Sequence, residues 1–411
     1  MVIEFTVGNF RSIKDKKALS FEATSLKDYP ENIIETAGYK LLKSIVIYGA
    51  NSSGKSNFLF AIEKMKQIIN DSFSLSSTDK IDITPFLLNS ETQSKPSYFE
   101  ILFLINSNRY RYGFEISTEL IHSEWLFVSE SKTKSEKMLF LRDNDNIDVG
   151  KDFKEGVGVE ERTKSNTLFL TVTNQFNGQI SSEIIEWFSD LQIFSGLEHN
   201  KKKQLTSLFL TDKTLRTSIK GFLNELSLGF NDLKIEDKKN IFESIVKTIH
   251  NKFDKNGHPI GNTEFDLSSQ ESSGTNKIYD IAGSITLSLM FGHFLCIDEL
   301  DAKLHPLLTK AIVQLFHNNE TNSNNAQLIF STHDTNLLNA CLFRRDQIYF
   351  TEKNKLEETD LYSLSEYKDA DGKKARNDSS IEKNYIEGRY GAIPYLGNFS
   401  KLLFNGPETE N

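Results

Sequence analysis

Eight consecutive residues of the sequence have the types and spacing of a phosphate-binding loop. Gly49 and Gly54 flank four residues, and Lys55 and Ser56 follow at once. Glycines let backbone N–H groups turn inward around phosphate oxygens, the lysine can reach the β- and γ-phosphates, and the serine hydroxyl can ligate Mg2+. The pattern predicts a site for ATP and Mg2+. The predicted nucleotide-binding residues of this loop are Gly49, Asn51, Ser52, Ser53, Gly54, Lys55 and Ser56.

An acidic pair, Asp298 and Glu299, ends the apolar run at 294–297. Ligands of parallel sheets bind where buried strands end, so an acid at this position faces the ligand. We predict that Asp298 holds the Mg2+ bound by Ser56 and that Glu299 polarises the attacking water as general base. A helix cap or a solvated turn is the alternative, and the phosphate-binding loop in the same chain favours catalysis.

Two further segments can bind anions. The Ser/Gly-rich stretch at 271–277 precedes a predicted helix, whose N-terminal N–H groups can hold a second anion, although a capping loop is the commoner meaning. His333 follows the predicted buried strand at 326–331. It would lie at the same sheet edge as Glu299, where it can bond a γ-phosphate or hold the attacking water, and a structural histidine is an equal alternative.

Strands and helices at both ends of the chain must position these residues. The apolar run 44–48 predicts a buried strand before the loop, and an amphipathic helical pattern follows Gly54. Aromatic and β-branched runs between 97 and 150 predict an antiparallel β-subdomain, whereas 181–250 has a mainly helical pattern. Strands alternating with helices on either side of an insertion predict one α/β domain whose halves lie far apart in sequence.

We therefore predict four regions and no long coiled coil, because no heptad pattern continues over several turns. These are an N-terminal part of an ATPase core with the P-loop (1–95), an antiparallel β-subdomain (96–160), a helical insertion (161–262) and a C-terminal part of the core (263–411).

Charge and composition narrow the partners and the location. Net charge is 48 minus 57, or −9, so a nucleic-acid partner is possible but unsupported by charge. No apolar run of about 18 residues predicts a membrane span, and residues 1–5 lack the features of a signal peptide. We expect a cytoplasmic protein with no membrane partner, in which Cys296 and Cys341 are reduced core residues rather than a disulfide.

The order of these motifs resembles the ABC-type ATPase heads of SMC, RecF-like and double-strand-break-repair proteins. Within that class the chain looks most similar to the AAA-domain ATPases of OLD-like and abortive-infection type, which guard prokaryotes against phage. The resemblance implies an ABC-ATPase head with a mostly parallel core sheet, although 120–260 carries no matching motif. Besides the loop, the signature, the acidic pair and the histidine, it is carried by the stretches 9–13, 298–306, 331–334 and 385–394.

The resemblance also assigns roles. Ser273 and Gly274 would form the signature that contacts the γ-phosphate bound by a second copy. Asp301 would be the D-loop residue, and His333 would be the switch histidine. Arg11 and Asn57 would be further nucleotide contacts. The usual signature is Leu-Ser-Gly-Gly-Gln, and residues 272–276 depart from it. No Q-loop glutamine is recognisable, and the role of 385–394 is left open.

ABC-type heads sandwich ATP between two head-to-tail protomers, so the resemblance implies an ATP-dependent homodimer or higher homo-oligomer. It further implies an ATPase that acts as sensor or scaffold and controls a partner effector, such as a nuclease of Toprim type or an RloB-like protein encoded nearby, in anti-phage defence. One alternative is a RecF-like DNA-repair ATPase, which should bind DNA in a salt-dependent way. The other is an ATP-locked scaffold or antitoxin with negligible turnover.

Overall fold

The computed structural model describes residues 1–130, 135–195, 200–226, 228–236, 245–339, 341–368 and 380–394. The strands in these ranges are β1 Val2–Gly8, β2 Lys17–Ser20, β3 Ile33–Thr36, β4 Tyr39–Leu42, β5 Ser44–Gly49, β6 Ser97–Ile105, β7 Asn108–Ile116, β8 Ile121–Glu130, β9 Lys137–Asp143, β10 Asn146–Val149, β11 Gln192–Ser195, β12 Asp232–Glu236, β13 Ile245–Phe253, β14 Pro259–Asp266, β15 Phe294–Asp298, β16 Gln327–Ser331, β17 Ile348–Lys353 and β18 Thr359–Ser363.

The α-helices in the same ranges are α1 Lys55–Asp71, α2 Phe169–Gln175, α3 Gln179–Ser189, α4 Asn200–Phe209, α5 Lys213–Glu225, α6 Leu267–Gln270, α7 Ser273–Phe291, α8 Pro306–His317, α9 Asn336–Asn339 and α10 Ile381–Ile386. Short 3-10 helices lie at Pro30–Asn32, Ser72–Ser74, Lys154–Gly156, Glu160–Arg162 and Arg345–Gln347. The longest of the α-helices, α7, has 19 residues, so no long coiled coil lies within the described part of the chain.

The core sheet has six strands in the order β11-β15-β16-β5-β17-β18. The first five run parallel, and β18 is antiparallel to β17 at the edge. This sheet confirms the mostly parallel core predicted from the sequence. Its strands come from distant parts of the chain, because β5 ends at Gly49, β11 spans Gln192–Ser195 and β15 to β18 follow residue 290.

Both faces of the core sheet are covered, which is why β5 has a continuous apolar sequence rather than an alternating one. Ile45 and Ile47 pack on one face with helix α1 and the second large sheet. Val46 and Tyr48 pack on the opposite face with helices α7 and α8. All six residues of β5 are buried, so the strand that precedes the P-loop has no freedom to shift.

The second large sheet has seven strands in the order β10-β9-β8-β7-β6-β1-β2, and every neighbouring pair in it is antiparallel. It confirms the antiparallel β-subdomain expected from the aromatic and β-branched runs. The two N-terminal strands, β1 and β2, belong to this sheet although they precede the P-loop in sequence. A small hairpin of β3 and β4 forms a separate two-stranded sheet and packs against β1 and β6.

The segment 161–262, predicted as a helical insertion, holds α2 to α5 and also β11 to β13 and the first half of β14. Strands β12, β13 and β14 form a three-stranded antiparallel sheet that the sequence analysis did not anticipate. Only part of one face of β13 is buried, at Val246 and Thr248, and β14 has no fully buried residue. Polar and apolar residues are mixed at the remaining positions, so the period-two pattern is weak. The mainly helical pattern expected over 181–250 does not continue through β12 and β13.

The expectation that both cysteines lie in the core is correct for Cys296 and wrong for Cys341. Both cysteines are free, but only Cys296 is buried, and Cys341 is exposed. Cys341 lies between α9 and β17 with a positive φ of 51°, where the chain turns at the surface. None of the described helices is long and apolar enough to cross a bilayer.

The C-terminal segment packs beneath the strand that carries the P-loop. Tyr385 of α10 stacks on Phe350 of β17 with ring centroids 5.3 Å apart. Its ring centroid lies 5.6 Å from that of Tyr48 on β5. Its hydroxyl donates to the carbonyl oxygen of Ala392 at 3.2 Å. The residues 380–394 therefore complete the core on the α7 and α8 side, and Tyr48 in turn donates from its hydroxyl to the carbonyl of Asp334 at 3.0 Å.

Replacing Tyr385 with alanine should lower the free energy of unfolding by about 3 kcal/mol, because the ring fills a buried aromatic cluster. Tyr385→Phe keeps the ring and loses only the hydroxyl, so it should cost about 1 kcal/mol. Urea titration followed by circular dichroism measures both values. Equal losses in the two variants would mean that the hydroxyl, and not ring packing, fixes the segment.

Candidate functional site

The predicted phosphate-binding loop connects the buried strand β5 to helix α1. Gly54 caps the helix with φ 111°, and Ser52 has φ 64°. Both values lie in the left-handed region, which lets the backbone turn sharply between strand and helix. The loop therefore has the strand–loop–helix placement that its sequence predicts, with the positive end of the helix dipole at the loop.

Steric crowding also requires glycine at Gly49 and Gly54. A Cβ atom at Gly49 would lie 2.5 Å from the Ser53 hydroxyl and equally close to the Thr351 carbonyl oxygen. A Cβ atom at Gly54 would collide with the side chain of Thr359. Strands β17 and β18 thus press directly on the loop, and only glycine fits at these two positions.

Hydroxyl groups on β17 and β18 hold the loop in place. The hydroxyl of Thr351 lies 2.6 Å from the Ser53 hydroxyl, and Thr359 donates to the Ser53 carbonyl at 3.0 Å. The Thr359 hydroxyl also lies 2.8 Å from the Ser12 hydroxyl, which accepts from the Asn57 amide at 2.7 Å. These contacts tie the loop, the start of α1 and the N-terminal turn to one edge of the core sheet.

Lys55 is buried, and its ammonium donates to the carbonyl oxygens of Gly49 at 2.8 Å and Ala50 at 3.1 Å. Burial lowers the pKa of Lys55, and the carboxylates at 298–301 act in the opposite direction. The ammonium is thus held inside the loop by weak carbonyl acceptors, which an anionic ligand would replace with stronger ones.

Asp298 and Glu299 are connected through one hydroxyl group on the neighbouring strand. Ser331, the last residue of β16, donates to a carboxylate oxygen of Asp298 at 2.5 Å and accepts from the N–H of Glu299 at 2.7 Å. Glu299 has φ 53°, which is uncommon for a residue other than glycine. The chain therefore turns sharply after Asp298, and Ser331 stabilises that turn.

Ser56 and Asp298 line one cleft of about 570 Å³ together with Arg11. A hydroxyl and a carboxylate supply the hard oxygen ligands that Mg2+ prefers, and this ion usually keeps waters or substrate phosphates as its other ligands. The donor set fits Mg2+ on these grounds. Within the described residues no group of three or more His, Cys, Asp or Glu side chains could hold a metal by itself.

Arg11 lies at the entrance of this cleft. Its guanidinium stacks 3.7 Å above the ring of Phe60 on α1, and it donates to the side-chain oxygen of Asn57 at 3.4 Å. The structure brings Arg11 beside Ser56 and Asp298 rather than against the glycines of the loop.

Glu299 and His333 line a second cleft of about 770 Å³ with residues 51–57 of the loop. The predicted base and the predicted histidine therefore meet the loop in one chain. The backbone N–H of His333 donates to a carboxylate oxygen of Asp301 at 3.2 Å, so Asp301 stabilises the backbone at His333.

The electrostatic surroundings favour a neutral His333. Desolvation by the cleft walls and the nearby Lys55 ammonium lower the pKa of His333, although Asp301, Glu299 and Asp298 pull it upward. Because the pKa lies below its ordinary value, the imidazole is uncharged at neutral pH and keeps one nitrogen able to accept a hydrogen bond.

Ser273 and Gly274 do not line the cleft that holds the loop. Ser272 caps helix α7 by accepting from the N–H of Thr275 at 3.0 Å, and Ser273 is the first helical residue. Ser272 and Ser273 are exposed. A Cβ atom at Gly274 would lie 3.0 Å from the carbonyl oxygen of Lys303, so the signature segment packs beside the turn that follows Asp301.

Sequence reasoning missed the residues that hold the loop from outside. Ser12, Thr351, Thr359 and Ser331 contact the loop or the acidic pair, and Lys353 lines the larger cleft. Ser12 and Ser331 lie in the stretches 9–13 and 331–334, which carry the family resemblance but gave these two residues no role. Thr351, Thr359 and Lys353 belong to no motif, and Thr351 lies 298 positions from its partner Ser53. Only the pairing of β17 with β5 shows which of its side chains face the loop.

A sequence profile of the family described as "AAA domain, putative AbiEii toxin, Type IV TA system" matches residues 44–339, which is more than half of the chain. The chain belongs to this family. The matched region of this AAA-domain protein begins with β5 and ends with α9, so it includes the loop, the signature segment, the acidic pair and His333. It leaves out Arg11, Lys353 and the C-terminal segment.

Among solved structures, a similar one is a crystal structure of the Smc head bound to the C-winged helix domain of ScpA. It is 13% identical, with a TM-score of 0.43, and the match covers 88% of this chain and 97% of that chain. No curated protein sequence matches the chain.

Gly54→Ala should lower the free energy of unfolding of this AAA-domain protein by about 2 kcal/mol, because the φ of 111° strains any other residue and the added methyl meets Thr359. Gly221→Ala is the matched control. Gly221 lies inside α5 with nothing near its added Cβ, so alanine should stabilise the helix by about 1 kcal/mol. Urea unfolding compares the two, and a stabilising effect of Gly54→Ala would show that the loop is not confined.

Proposed function

We propose that this AAA-domain protein binds ATP with Mg2+ and hydrolyses it to ADP and phosphate. The observation that carries the proposal is the 770 Å³ cleft, where the loop, Glu299 and His333 meet. A phosphate-binding loop alone would bind a nucleotide. A carboxylate and a neutral imidazole facing the same space add groups that can act on water and on the terminal phosphate.

Each group has a distinct part in the proposed reaction. Loop N–H groups and Lys55 hold the phosphates, and Glu299 accepts a proton from the attacking water. His333, uncharged because its pKa is lowered, orients that water or bonds the γ-phosphate. Mg2+ held by Ser56 and Asp298 would neutralise charge on the phosphates.

The position of the signature segment supports action as a homodimer. Ser273 and Gly274 lie outside the cleft of their own chain, and Ser273 is exposed at the start of a 19-residue helix. The N-terminus of such a helix favours an anion through its free N–H groups and its dipole. We propose that it meets the γ-phosphate held by the loop of a second copy, with Asp301 near that interface.

We further propose that the nucleotide state controls a partner effector in defence against phage, in the cytoplasm. The support is the family description, which names an abortive-infection toxin and a toxin–antitoxin system. A nuclease of Toprim type or an RloB-like protein encoded nearby is the kind of effector expected. Co-purification of tagged protein with the product of the neighbouring gene, with and without ATP, tests this step: failure to co-purify in both conditions would contradict it.

Glu299→Gln should reduce ATP turnover by about 100-fold or more, because the amide cannot accept the proton, while ATP still binds. Glu320→Gln, an exposed site after α8, is the matched control and should leave turnover unchanged. Phosphate release and calorimetric ATP binding are measured for both. Turnover of Glu299→Gln at the wild-type rate would remove Glu299 from the role of base.

Mixing two inactive variants tests whether the signature acts across a dimer. Lys55→Ala should abolish nucleotide binding, and Ser273→Arg should block hydrolysis while ATP still binds. In a mixed dimer the intact loop of one chain meets the intact signature of the other. One of the two sites is then complete in about half of the dimers, so activity should recover to about one quarter of wild type.

Ser269→Arg, on the exposed face of the preceding helix α6, is the control for the added arginine and should retain activity. If the mixture of Lys55→Ala and Ser273→Arg stays inactive although both proteins are folded, the signature does not act in trans.

A further inference from the structure

The cleft that holds the loop contains a second lysine, which no motif predicted. Lys353 is the last residue of β17 and lines the 770 Å³ cleft together with Glu299 and His333. It lies outside the region matched by the family profile, which ends at residue 339.

Strand register places Lys353 two residues past the point where the loop begins. Thr351 of β17 is the partner of Gly49, the last residue of β5, so β17 continues two residues past the point where the loop departs. Side chains two apart on a strand face the same way. Because Thr351 contacts Ser53 of the loop, Lys353 faces the loop one step further along.

The order of the strands indicates how a nucleotide would be oriented in the cleft. Strand β5 lies between β16 on one side and β17 on the other. Glu299 follows β15 and His333 follows β16, so the groups that would act on the bond to be broken all lie on one side of the loop. The γ-phosphate belongs on that side, and the rest of the nucleotide extends toward β17.

The ammonium of Lys353 is only weakly engaged within the protein. Its ion pair with Glu357 measures 3.7 Å, and both side chains are accessible, 28% and 67% respectively. A pair this long and this exposed contributes little, so a phosphate can replace the glutamate. By contrast, Lys55 is buried and fixed by two carbonyls.

We propose that Lys353 binds the α-phosphate of the nucleotide, the part that hydrolysis does not transfer. The proposal rests on the proposed function, since it requires that the cleft holds ATP. A group bound to the α-phosphate contacts ATP and ADP equally, and it contacts the ground state and the transition state equally. It therefore lowers KM without raising kcat.

The experiment compares Lys353→Ala with Lys353→Arg and with Lys355→Ala. Lys355 is exposed on the turn between β17 and β18 and does not line the cleft. Lys353→Ala should bind ATP and ADP about tenfold more weakly, by about the same factor for both. Its KM should rise by a similar factor at unchanged kcat. Lys353→Arg should retain most of the affinity, and Lys355→Ala should resemble wild type. Calorimetry with ATP and ADP, and steady-state hydrolysis, give these values.

The outcomes separate the two proposals. If wild-type protein binds neither ATP nor ADP, the proposed function fails and the role of Lys353 fails with it. If wild type binds both and Lys353→Ala equals Lys355→Ala, only the role of Lys353 is overturned. If Lys353→Ala weakens ATP but leaves ADP unchanged, the lysine faces the γ-phosphate, and the orientation assigned to the nucleotide is wrong.

Discussion

Strand β5 is buried along its whole length, and the candidate site depends on that burial. Its six residues have no exposed face, because α1 and the antiparallel sheet cover one side while α7 and α8 cover the other. Parallel pairing with β16 and β17 fixes its two edges. The loop that leaves its end therefore starts from a fixed point, and functional groups placed by such elements are held more accurately than groups on free loops.

The same sheet aligns groups that are distant in sequence. Ser331 on β16 bonds both Asp298 and the backbone of Glu299 on the adjacent chain segment, while Thr351 on β17 bonds Ser53 from the opposite edge. Each of these hydroxyls is buried, where a lost partner is costly. A shift of β16 would therefore disturb the acidic pair, and a shift of β17 would disturb the loop.

Local patterns in the sequence were enough to predict β5, β15, β16 and the antiparallel subdomain, since each has a continuous apolar or strongly β-forming run. They were not enough for β12 to β14, which have few buried residues and no regular alternation of polar and apolar positions. The loop, Asp298-Glu299 and His333 could be located because residue types at fixed spacing carry their chemistry. Thr351, Thr359 and Lys353 could not, because their importance arises from strand pairing across some 300 positions, which a single sequence does not encode in any local pattern.

Tyr385 gives the C-terminal segment a direct connection to both sides of the candidate site. Its ring packs on Tyr48, one residue before the loop, and the hydroxyl of Tyr48 holds the carbonyl of Asp334, one residue after His333. Removing the segment would leave Tyr48 without its neighbour on that side. A truncation before residue 380 would thus alter the loop and the histidine turn together, so the C-terminal segment is a structural part of the site, and a phenotype from deleting it need not reveal a separate tail function.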